Sequence, residues 1–345
     1  FRRVLFRSAS AATTAGAVLI DPAVPPVVRS APKVTRFLLI SLILGVGLGC
    51  AVAFLLDVTR SALHTEAAVE HATGLPVIGS VPNYERGQTR IRGVKKGVRI
   101  LPMRDDASGP QAESYRAIRA ALRQALHGEG ALRTLAATSC TAGEGKTVTN
   151  SDLAIVFAKA GRRVLLVDCD LRRAEVHNLF GIQRGPGFAD VLEGRNPWRD
   201  CVRASGIENL DILPAGQSTS NVGELLVSER SLDTLESLRA AYDLVVFDLP
   251  PAALVADVAN FATNLDALIL VYRSGKVPGP LVTRTVAMLQ QAGVRLLGTV
   301  INAVPVSRMS SVYGYGYGYG YGAGYGTGLE TLPDDRGAAG RSRRG

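Results

Sequence analysis

The chain has 345 residues, of which 47% are hydrophobic, and its formal net charge is +9. This length and composition provide a sizeable core for one large domain with additional segments. Its four cysteines form no CxxC motif and no paired spacing, which argues against a disulfide or zinc framework and fits a reducing compartment. The basic charge by itself would suit either nucleic acid or an anionic membrane.

The first eight residues, FRRVLFRS, do not begin with methionine. The codons CTC TTC CGA TCT encode Leu-Phe-Arg-Ser and match the end of a common sequencing adapter, and the upstream adapter bases translate as Phe-Arg-Arg-Val. We therefore interpret residues 1–8 as a sequencing artefact on a truncated gene fragment and leave them out of the fold prediction. The alternative is a basic leader.

Residues 37–56 contain no charged side chain. At helical rise they cover ~30 Å, the thickness of a hydrocarbon core, and a helix that is apolar on every face is rare in a soluble protein. We predict a transmembrane helix over 37–56. More basic residues follow this stretch than precede it, so the positive-inside rule places the large C-terminal part in the cytoplasm.

Residues 57–108 are predicted to form a juxtamembrane linker. Six basic residues crowd one part of it: Arg86, Arg90, Arg92, Lys95, Lys96 and Arg99. Such a cluster binds anionic headgroups at ~1 kcal/mol per cation, or it forms a solvated linker, and both interpretations stay open.

The next 200 residues alternate between short apolar runs and helical patterns. The predicted strands are 132–139, 163–168, 210–215, 243–248, 266–273 and 295–302, and the predicted helices between them include 146–160, 224–241 and 280–292. Continuous apolar strands separated by helices indicate an α/β fold with a mostly parallel sheet covered on both faces. Ligands of such sheets bind at the carboxyl ends of the strands.

The segment 139–147, SCTAGEGKT, lies between a predicted strand and a predicted helix. Its ending, Gly143 to Thr147, is that of a P-loop, in which backbone amides cradle phosphate oxygens at a helix N-terminus. Lys146 would reach the β- and γ-phosphates, and the Thr147 hydroxyl would bind Mg²⁺. Cys140 replaces the usual first glycine of the pattern, but the strand-loop-helix context supports the P-loop.

Three acidic residues end two further strands. Asp168 and Asp170 follow the strand 163–168, and Asp248 ends the strand 243–248 as a Walker-B-type acid. Together they can hold Mg²⁺, directly or through water, and accept a proton. Each aspartate alone could equally cap a helix or a loop.

From residue 306 onward the chain is predicted to be disordered, because alternating glycines raise the entropic cost of any stable fold. Six tyrosines alternate with glycine or follow it in this tail: Tyr313, Tyr315, Tyr317, Tyr319, Tyr321 and Tyr325. Composition alone fits a flexible adhesive or linker segment equally well.

In this order, the motifs resemble those of the bacterial tyrosine kinases (BY-kinases) fused to polysaccharide co-polymerase membrane domains. Residues 113–119 match the family's ExxRxxR motif, and residues 220–230, SNVGELLVSER, resemble its segment before the Walker B strand. The resemblance implies that residues 9–36 are an extracytoplasmic remnant of the co-polymerase domain. It further implies that residues 109–305 form a P-loop tyrosine kinase domain and that residues 306–345 form a disordered tyrosine-rich tail.

The resemblance implies a non-specific protein-tyrosine kinase that uses ATP and Mg²⁺ to phosphorylate the tail tyrosines of a neighbouring subunit. Lys146 and the loop would bind phosphates, Thr147, Asp170 and Asp248 would bind Mg²⁺, and Asp168 is the favoured base, with Asp170 as the alternative. The nucleotide-binding residues implied are Thr141, Ala142, Gly143, Glu144, Gly145, Lys146, Thr147, Val148 and Asn302. In relatives of this fold the Asn302 position contacts adenine.

The resemblance also implies partners. Glu113, Arg116 and Arg119 lie at i, i+3 and i+6 and would mediate a ring-like homo-oligomer, although a local Glu-Arg pair on a solvated helix explains the same spacing. The expected location is the bacterial inner membrane, with the polysaccharide polymerisation and export machinery and a cognate tyrosine phosphatase as partners. No nucleic-acid partner is expected.

Two departures from the family pattern are Ala142, where proline is frequent, and Leu249, where threonine is usual. Neither removes a phosphate or metal ligand. The first span and most of the extracytoplasmic domain of the family are missing from this fragment.

Two other functions fit parts of the sequence. A partition or septum-placement ATPase shares the sheet and the acids, but it carries a second lysine where this chain has Thr141. A non-catalytic co-polymerase scaffold would bind ATP only, which the full set of P-loop and acidic residues disfavours.

Overall fold

The structure is a computed structural model that describes residues 34–59, 62–83, 100–123, 125, 132–217, 221–254 and 257–305. The chain divides into two units, residues 1–60 and residues 61–345. In the first unit the helix α1, Val34–Thr59, includes a 20-residue stretch, Val34–Ala53, that is exposed and long and apolar enough to cross a bilayer. It overlaps the predicted span 37–56.

The second unit is an α/β domain. Its strands are β1 Val77–Pro82, β2 Thr134–Ser139, β3 Val164–Asp168, β4 Arg203–Ile207, β5 Leu210–Leu213, β6 Leu244–Asp248, β7 Ala267–Arg273 and β8 Leu296–Val304. Its helices are α2 Glu66–Thr73, α3 Pro102–Asp105, α4 Pro110–Leu122, α5 Lys146–Ala158, α6 Val176–Phe180, α7 Phe188–Leu192, α8 Trp198–Cys201, α9 Val222–Leu226, α10 Glu229–Ala241, α11 Asp257–Ala262 and α12 Gly279–Gln291, with a 3-10 turn at Ala252–Leu254.

The eight described strands form one sheet in the order β1-β8-β7-β2-β6-β3-β5-β4. All neighbours are parallel except β4, which pairs antiparallel with β5 at one edge. The prediction of a mostly parallel sheet is therefore confirmed. This order brings the P-loop strand β2 next to β6, and β6 next to β3, so the three motif-bearing strands lie side by side.

Both faces of the sheet are buried, as parallel strands require. In β6, Leu244 and Val246 pack in the core on the side of α4 and α5, while Val245 and Phe247 pack with α7, α10 and α11 on the other side. Alternate side chains of one strand thus enter two different cores. This explains why the strand reads as a continuous apolar run.

The linker prediction over 57–108 is wrong for residues 62–83. Strand β1 extends the sheet by pairing parallel with β8, for example Ser80 with Ile301. The buried Tyr272 hydroxyl accepts a hydrogen bond from the Leu63 amide at 2.9 Å and donates one to the Leu63 carbonyl at 2.8 Å. The α/β domain therefore begins well before residue 109.

The predicted helix 224–241 is two helices, α9 and α10. The first helix ends at Leu226, and Ser228 caps the second, because its side chain accepts a hydrogen bond from the Ser231 amide at 3.2 Å. Serine is a strong helix N-cap, and this local bond breaks the continuous pattern.

A buried carboxylate, Asp152, connects α5 to α3. One oxygen accepts a hydrogen bond from the Met103 amide at 2.8 Å, and the other has no described partner. Burial raises the pKa of Asp152 well above its ordinary value, and nearby Asp105 adds to this while Arg104 and Lys159 oppose it. The folded state therefore favours the protonated acid.

We predict that Asp152→Asn increases the free energy of unfolding at pH 7. In the unfolded chain Asp152 ionises near pH 4, whereas burial disfavours its ionisation in the folded protein. The free energy of unfolding is therefore unaffected by this group below about pH 4 and is lowered by it as the pH rises. Asparagine keeps the acceptor for Met103 and cannot ionise. Urea unfolding at pH 4 and pH 7 measures the effect, and the gain should appear only at pH 7.

Asp243→Asn is the matched control, because hydrogen bonds from Arg163 lower the pKa of this surface aspartate. It should lower stability slightly at pH 7, by less than about 1 kcal/mol for an exposed pair. An Asp152→Asn protein that is less stable at pH 7 than the unsubstituted protein would contradict a raised pKa of Asp152 in the folded state.

Candidate active site

The P-loop runs from the end of β2 into α5 and depends on two glycines. Gly143 and Gly145 have φ of +75° and +98°, which favour glycine, and Gly145 directly precedes the helix. A side-chain carbon at Gly145 would collide with the Asn302 amide. The loop can therefore wrap closely, with the α5 N-terminus directed at its centre.

Buried Glu144 holds the loop from inside. One of its oxygens accepts hydrogen bonds from the Thr141 amide and hydroxyl, and the other accepts one from the Arg273 amide at 3.2 Å. Burial raises the pKa of Glu144, and these hydrogen bonds oppose that rise. Glu144 thus stabilises the conformation of the loop. The sequence predicted Glu144 as a nucleotide-binding residue and did not predict this structural role.

Three residues also donate hydrogen bonds to the backbone of the loop; they lie on β7, in the turn after β7 and on β8. Asn302 donates to the Glu144 carbonyl at 2.9 Å, Arg273 donates to the Gly143 carbonyl at 3.4 Å, and Lys276 donates to the Ala142 carbonyl. The Asn302 amide therefore contacts the loop itself, and its predicted contact with adenine stays a prediction. Arg273 and Lys276 were missed, although Arg273 ends a buried strand and Lys276 lies in the turn that follows it.

Lys146 lies among the acidic residues. Its Nζ is 3.0 Å from Asp170 Oδ2, 3.4 Å from Asp248 Oδ2 and 3.2 Å from Thr147 Oγ1. Burial alone would lower the pKa of Lys146, but the Asp248 and Asp170 charges outweigh it and raise the pKa. The lysine is therefore a charged bridge between the ends of β3 and β6.

Asp168 is fully buried and directly paired with Asp248 in the register of β3 and β6. Its two oxygens accept hydrogen bonds from the amides of Asp170, at 3.2 Å, and Val176, at 3.1 Å. Burial and then the Asp248 charge raise the pKa of Asp168 to about 8. Among the described residues, no ion pair involves Asp168.

The other two carboxylates are tied to different elements. Asp170 Oδ1 accepts a hydrogen bond from the Arg173 amide at 3.0 Å. Asp248 Oδ1 accepts one from Asn150 at 2.8 Å, and burial raises the Asp248 pKa, against the charge of Lys146. Asn150 was missed, although it lies one helical turn after Lys146.

The donor set fits Mg²⁺ with a nucleotide. No group of three or more His, Cys, Asp or Glu side chains forms a metal cluster within the described part of the chain. Mg²⁺ does not need one, because it is bound by one or two carboxylates together with water and substrate phosphates. The carboxylates of Asp170 and Asp248 and the Thr147 hydroxyl converge on Lys146 and match that requirement.

The predicted interface residues lie on α4. Arg116 forms a 2.8 Å ion pair with Glu113 and also donates to the Ala107 carbonyl, while Arg119 donates to the Val156 carbonyl of α5 at 3.3 Å. These contacts are within one subunit, and the oligomer interface stays a prediction. The six tail tyrosines lie outside the described residues.

Comparison with known proteins places this site in a family. A family model described as an AAA domain matches residues 132–276. The tyrosine-protein kinase ptk of Acinetobacter johnsonii is 32% identical over 312 residues, 89% of this chain and 42% of that relative. The tyrosine-protein kinase etk of Escherichia coli strain K12 is 31% identical over 308 residues, 86% of this chain and 42% of that relative. The chain thus spans about two fifths of the length of these relatives.

Two solved structures cover the α/β domain. The kinase domain of the Escherichia coli tyrosine kinase ETK has a TM-score of 0.64 at 31% identity, covering 72% of this chain and 98% of that one. The BceF tyrosine kinase domain has a TM-score of 0.64 at 30% identity, covering 71% and 100%.

The fold and the loop define a P-loop NTPase of the α/β class. Within that class the chain belongs to the bacterial tyrosine kinases, because nearly the whole of a solved kinase domain aligns with it at 31% identity. The resemblance of the motifs to those of the bacterial tyrosine kinases is confirmed, and the fusion to a co-polymerase membrane domain stays a prediction.

Proposed function

We propose that this chain is an ATP-dependent protein-tyrosine autokinase that phosphorylates its own C-terminal tyrosine cluster in trans. The observation that carries the proposal is the position of Lys146, whose ammonium group lies at the head of the P-loop helix within 3.4 Å of two strand-end carboxylates. A cation and carboxylates at that point suit the transfer of a phosphoryl group from a magnesium nucleotide.

Each residue then has a role. The loop from Thr141 to Val148 binds the phosphates, and Thr147, Asp170 and Asp248 hold Mg²⁺. When bound, Mg²⁺ neutralises charge on the phosphates. Lys146 exchanges its carboxylate partners for phosphate oxygens.

Asp168 is the proposed base for the tyrosine hydroxyl. Asp170 pairs with Lys146, whereas no ion pair among the described residues engages Asp168. The tyrosine oxygen forms a bond to the γ-phosphorus as the bond to the β-phosphate oxygen breaks. ADP leaves, and the hydroxyl proton passes to Asp168.

The cellular setting of the proposal follows from α1 and the family. We place α1 in the bacterial inner membrane, with the α/β domain in the cytoplasm, and the activity in the control of capsular or exopolysaccharide polymerisation and export. The apolar character and length of α1 support a membrane span. The relatives of this chain that are named tyrosine-protein kinase support the phosphorylation of tyrosine. A ring of subunits joined through Glu113, Arg116 and Arg119, a co-polymerase remnant before the span and a cognate phosphatase complete the proposal.

We predict that Lys146→Met strongly slows tyrosine phosphorylation. Loss of a positioned cation in a phosphoryl-transfer site costs on the order of 10²–10³-fold in rate. The full chain in detergent is incubated with ATP and Mg²⁺, and phosphotyrosine and phosphate release are measured. Lys159→Met is the control, because Lys159 lies just past the other end of α5, where its Nζ donates to the Met103 carbonyl at 2.6 Å.

A Lys146→Met protein that forms phosphotyrosine as fast as the unsubstituted chain would contradict the proposal. Phosphate release without phosphotyrosine in the unsubstituted chain would favour the partition-type ATPase. Nucleotide binding without either product would favour the scaffold.

We propose further that the net charge of the tail, which falls with each added phosphate, controls the association of subunits. From residue 306 onward five arginines and three acids give a net charge of +2. Each phosphate adds ≈ −1.5 to −2, so two phosphates reverse the sign. Low phosphorylation would therefore favour docking between subunits, and high phosphorylation would favour dissociation of the ring.

The prediction is that replacing the six tail tyrosines with phenylalanine removes most phosphotyrosine and keeps the oligomer assembled in the presence of ATP. Phosphosite mass spectrometry and sedimentation velocity, with and without ATP, measure both effects. Unchanged phosphotyrosine together with unchanged assembly behaviour would refute this role of the tail charge.

A further inference from the structure

Asn150 is a buried amide that none of the motifs includes. It follows Lys146 by four residues, so both side chains project from the same face of α5. Its Nδ2 donates to Asp248 Oδ1 at 2.8 Å and lies 3.3 Å from the Ala137 carbonyl. Both partners are acceptors, which fixes the orientation of the amide.

The two partners of Asn150 are themselves paired. Ala137 of β2 and Asp248 of β6 are opposite residues in the parallel register. The amide therefore connects the P-loop helix to the junction of these strands, close to the point where each reaches its carboxyl end. It contacts the Walker-B-type acid and the P-loop strand at once.

Asp248 is contacted by side chains of α5. Oδ1 accepts a short hydrogen bond from Asn150 at 2.8 Å, and Lys146 Nζ lies 3.5 Å from Oδ1 and 3.4 Å from Oδ2. A carboxylate fixed in this way cannot rotate freely about its side-chain bonds. The short bond from Asn150 holds one oxygen to the helix, while Lys146 faces both oxygens.

Packing alone accounts poorly for this residue. Asn150 is fully buried, and its Oδ1 has no described hydrogen-bond partner. An unpaired buried acceptor is costly, and an apolar side chain of the same shape would avoid that cost. The presence of an amide at this position is thus better explained by the hydrogen bond that its Nδ2 donates to Asp248.

We propose that Asn150 is a positioning residue that orients Asp248 towards the magnesium nucleotide. The proposal rests on the nucleotide site proposed above. It assigns Asn150 no contact with substrate: the residue acts through Asp248, because its hydrogen bond to Oδ1 fixes the orientation of the carboxylate. Partners of this kind change metal affinity by roughly 10–100-fold when they are removed.

The test compares the full chain in detergent with its Asn150→Leu and Asn150→Ala variants. The affinity for a fluorescent ADP is measured with Mg²⁺ and again with a chelator, and the ratio of the two affinities is the readout. Both variants should lose roughly 10–100-fold of the gain in ADP affinity that Mg²⁺ gives, while affinity with the chelator is unchanged. Ser151→Ala, the next buried polar residue of α5, is the control and should keep the full gain.

An undiminished Mg²⁺ gain in either folded variant would overturn the proposal. So would an equal loss of ADP affinity with and without Mg²⁺, or unfolding of both variants, since either result would make Asn150 a residue of general stability. The readout does not depend on phosphotyrosine. If the chain bound magnesium nucleotide without phosphorylating tyrosine, the kinase proposal would fail and the role of Asn150 would stand.

Discussion

One ammonium group, that of Lys146, lies in a buried pocket with three carboxylates, and the arrangement of the domain's carboxyl edge depends on it. Lys146 pairs with Asp170 and Asp248, and Asp168 is buried beside them. Removing charges from water is costly unless each is paired, so a single cation cannot compensate for three ionised acids. Burial and then the charge of Asp248 raise the pKa of Asp168 to about 8. Such a site is suited to a ligand that brings additional positive charge.

The fold gathers these groups from distant parts of the sequence by placing β2, β6 and β3 side by side. Helix α5 then supplies three groups from one end: Lys146, Thr147 and Asn150. Two further elements stabilise the loop from the opposite side, because Arg273 and Asn302 bind its backbone. The loop is thus fixed before any nucleotide arrives, which reduces the ordering that binding requires.

The sequence was sufficient for the parallel sheet, the P-loop and the three acids, because each combines a continuous apolar strand with polar residues directly after it. It was insufficient for β1, whose short strand contains a glycine, ends in a proline and gains its place only by pairing with β8. Asn150, Arg273 and Lys276 were missed for a related reason: nothing local marks a side chain whose role is a contact with a residue about 100 or more positions away. The predicted contact between Asn302 and adenine was drawn from relatives and stays a prediction, and in the structure Asn302 also donates a hydrogen bond to the Glu144 carbonyl.

The most direct test of this account is a crystal structure of the chain with Mg²⁺ and a non-hydrolysable ATP analogue. We predict that Lys146 Nζ leaves Asp170 and Asp248 for a phosphate oxygen, and that Mg²⁺ takes its place near Thr147 and those two carboxylates. Asn150 should keep its hydrogen bond to Asp248. A structure in which Lys146 remains paired with both acids, with the metal bound elsewhere, would contradict the account.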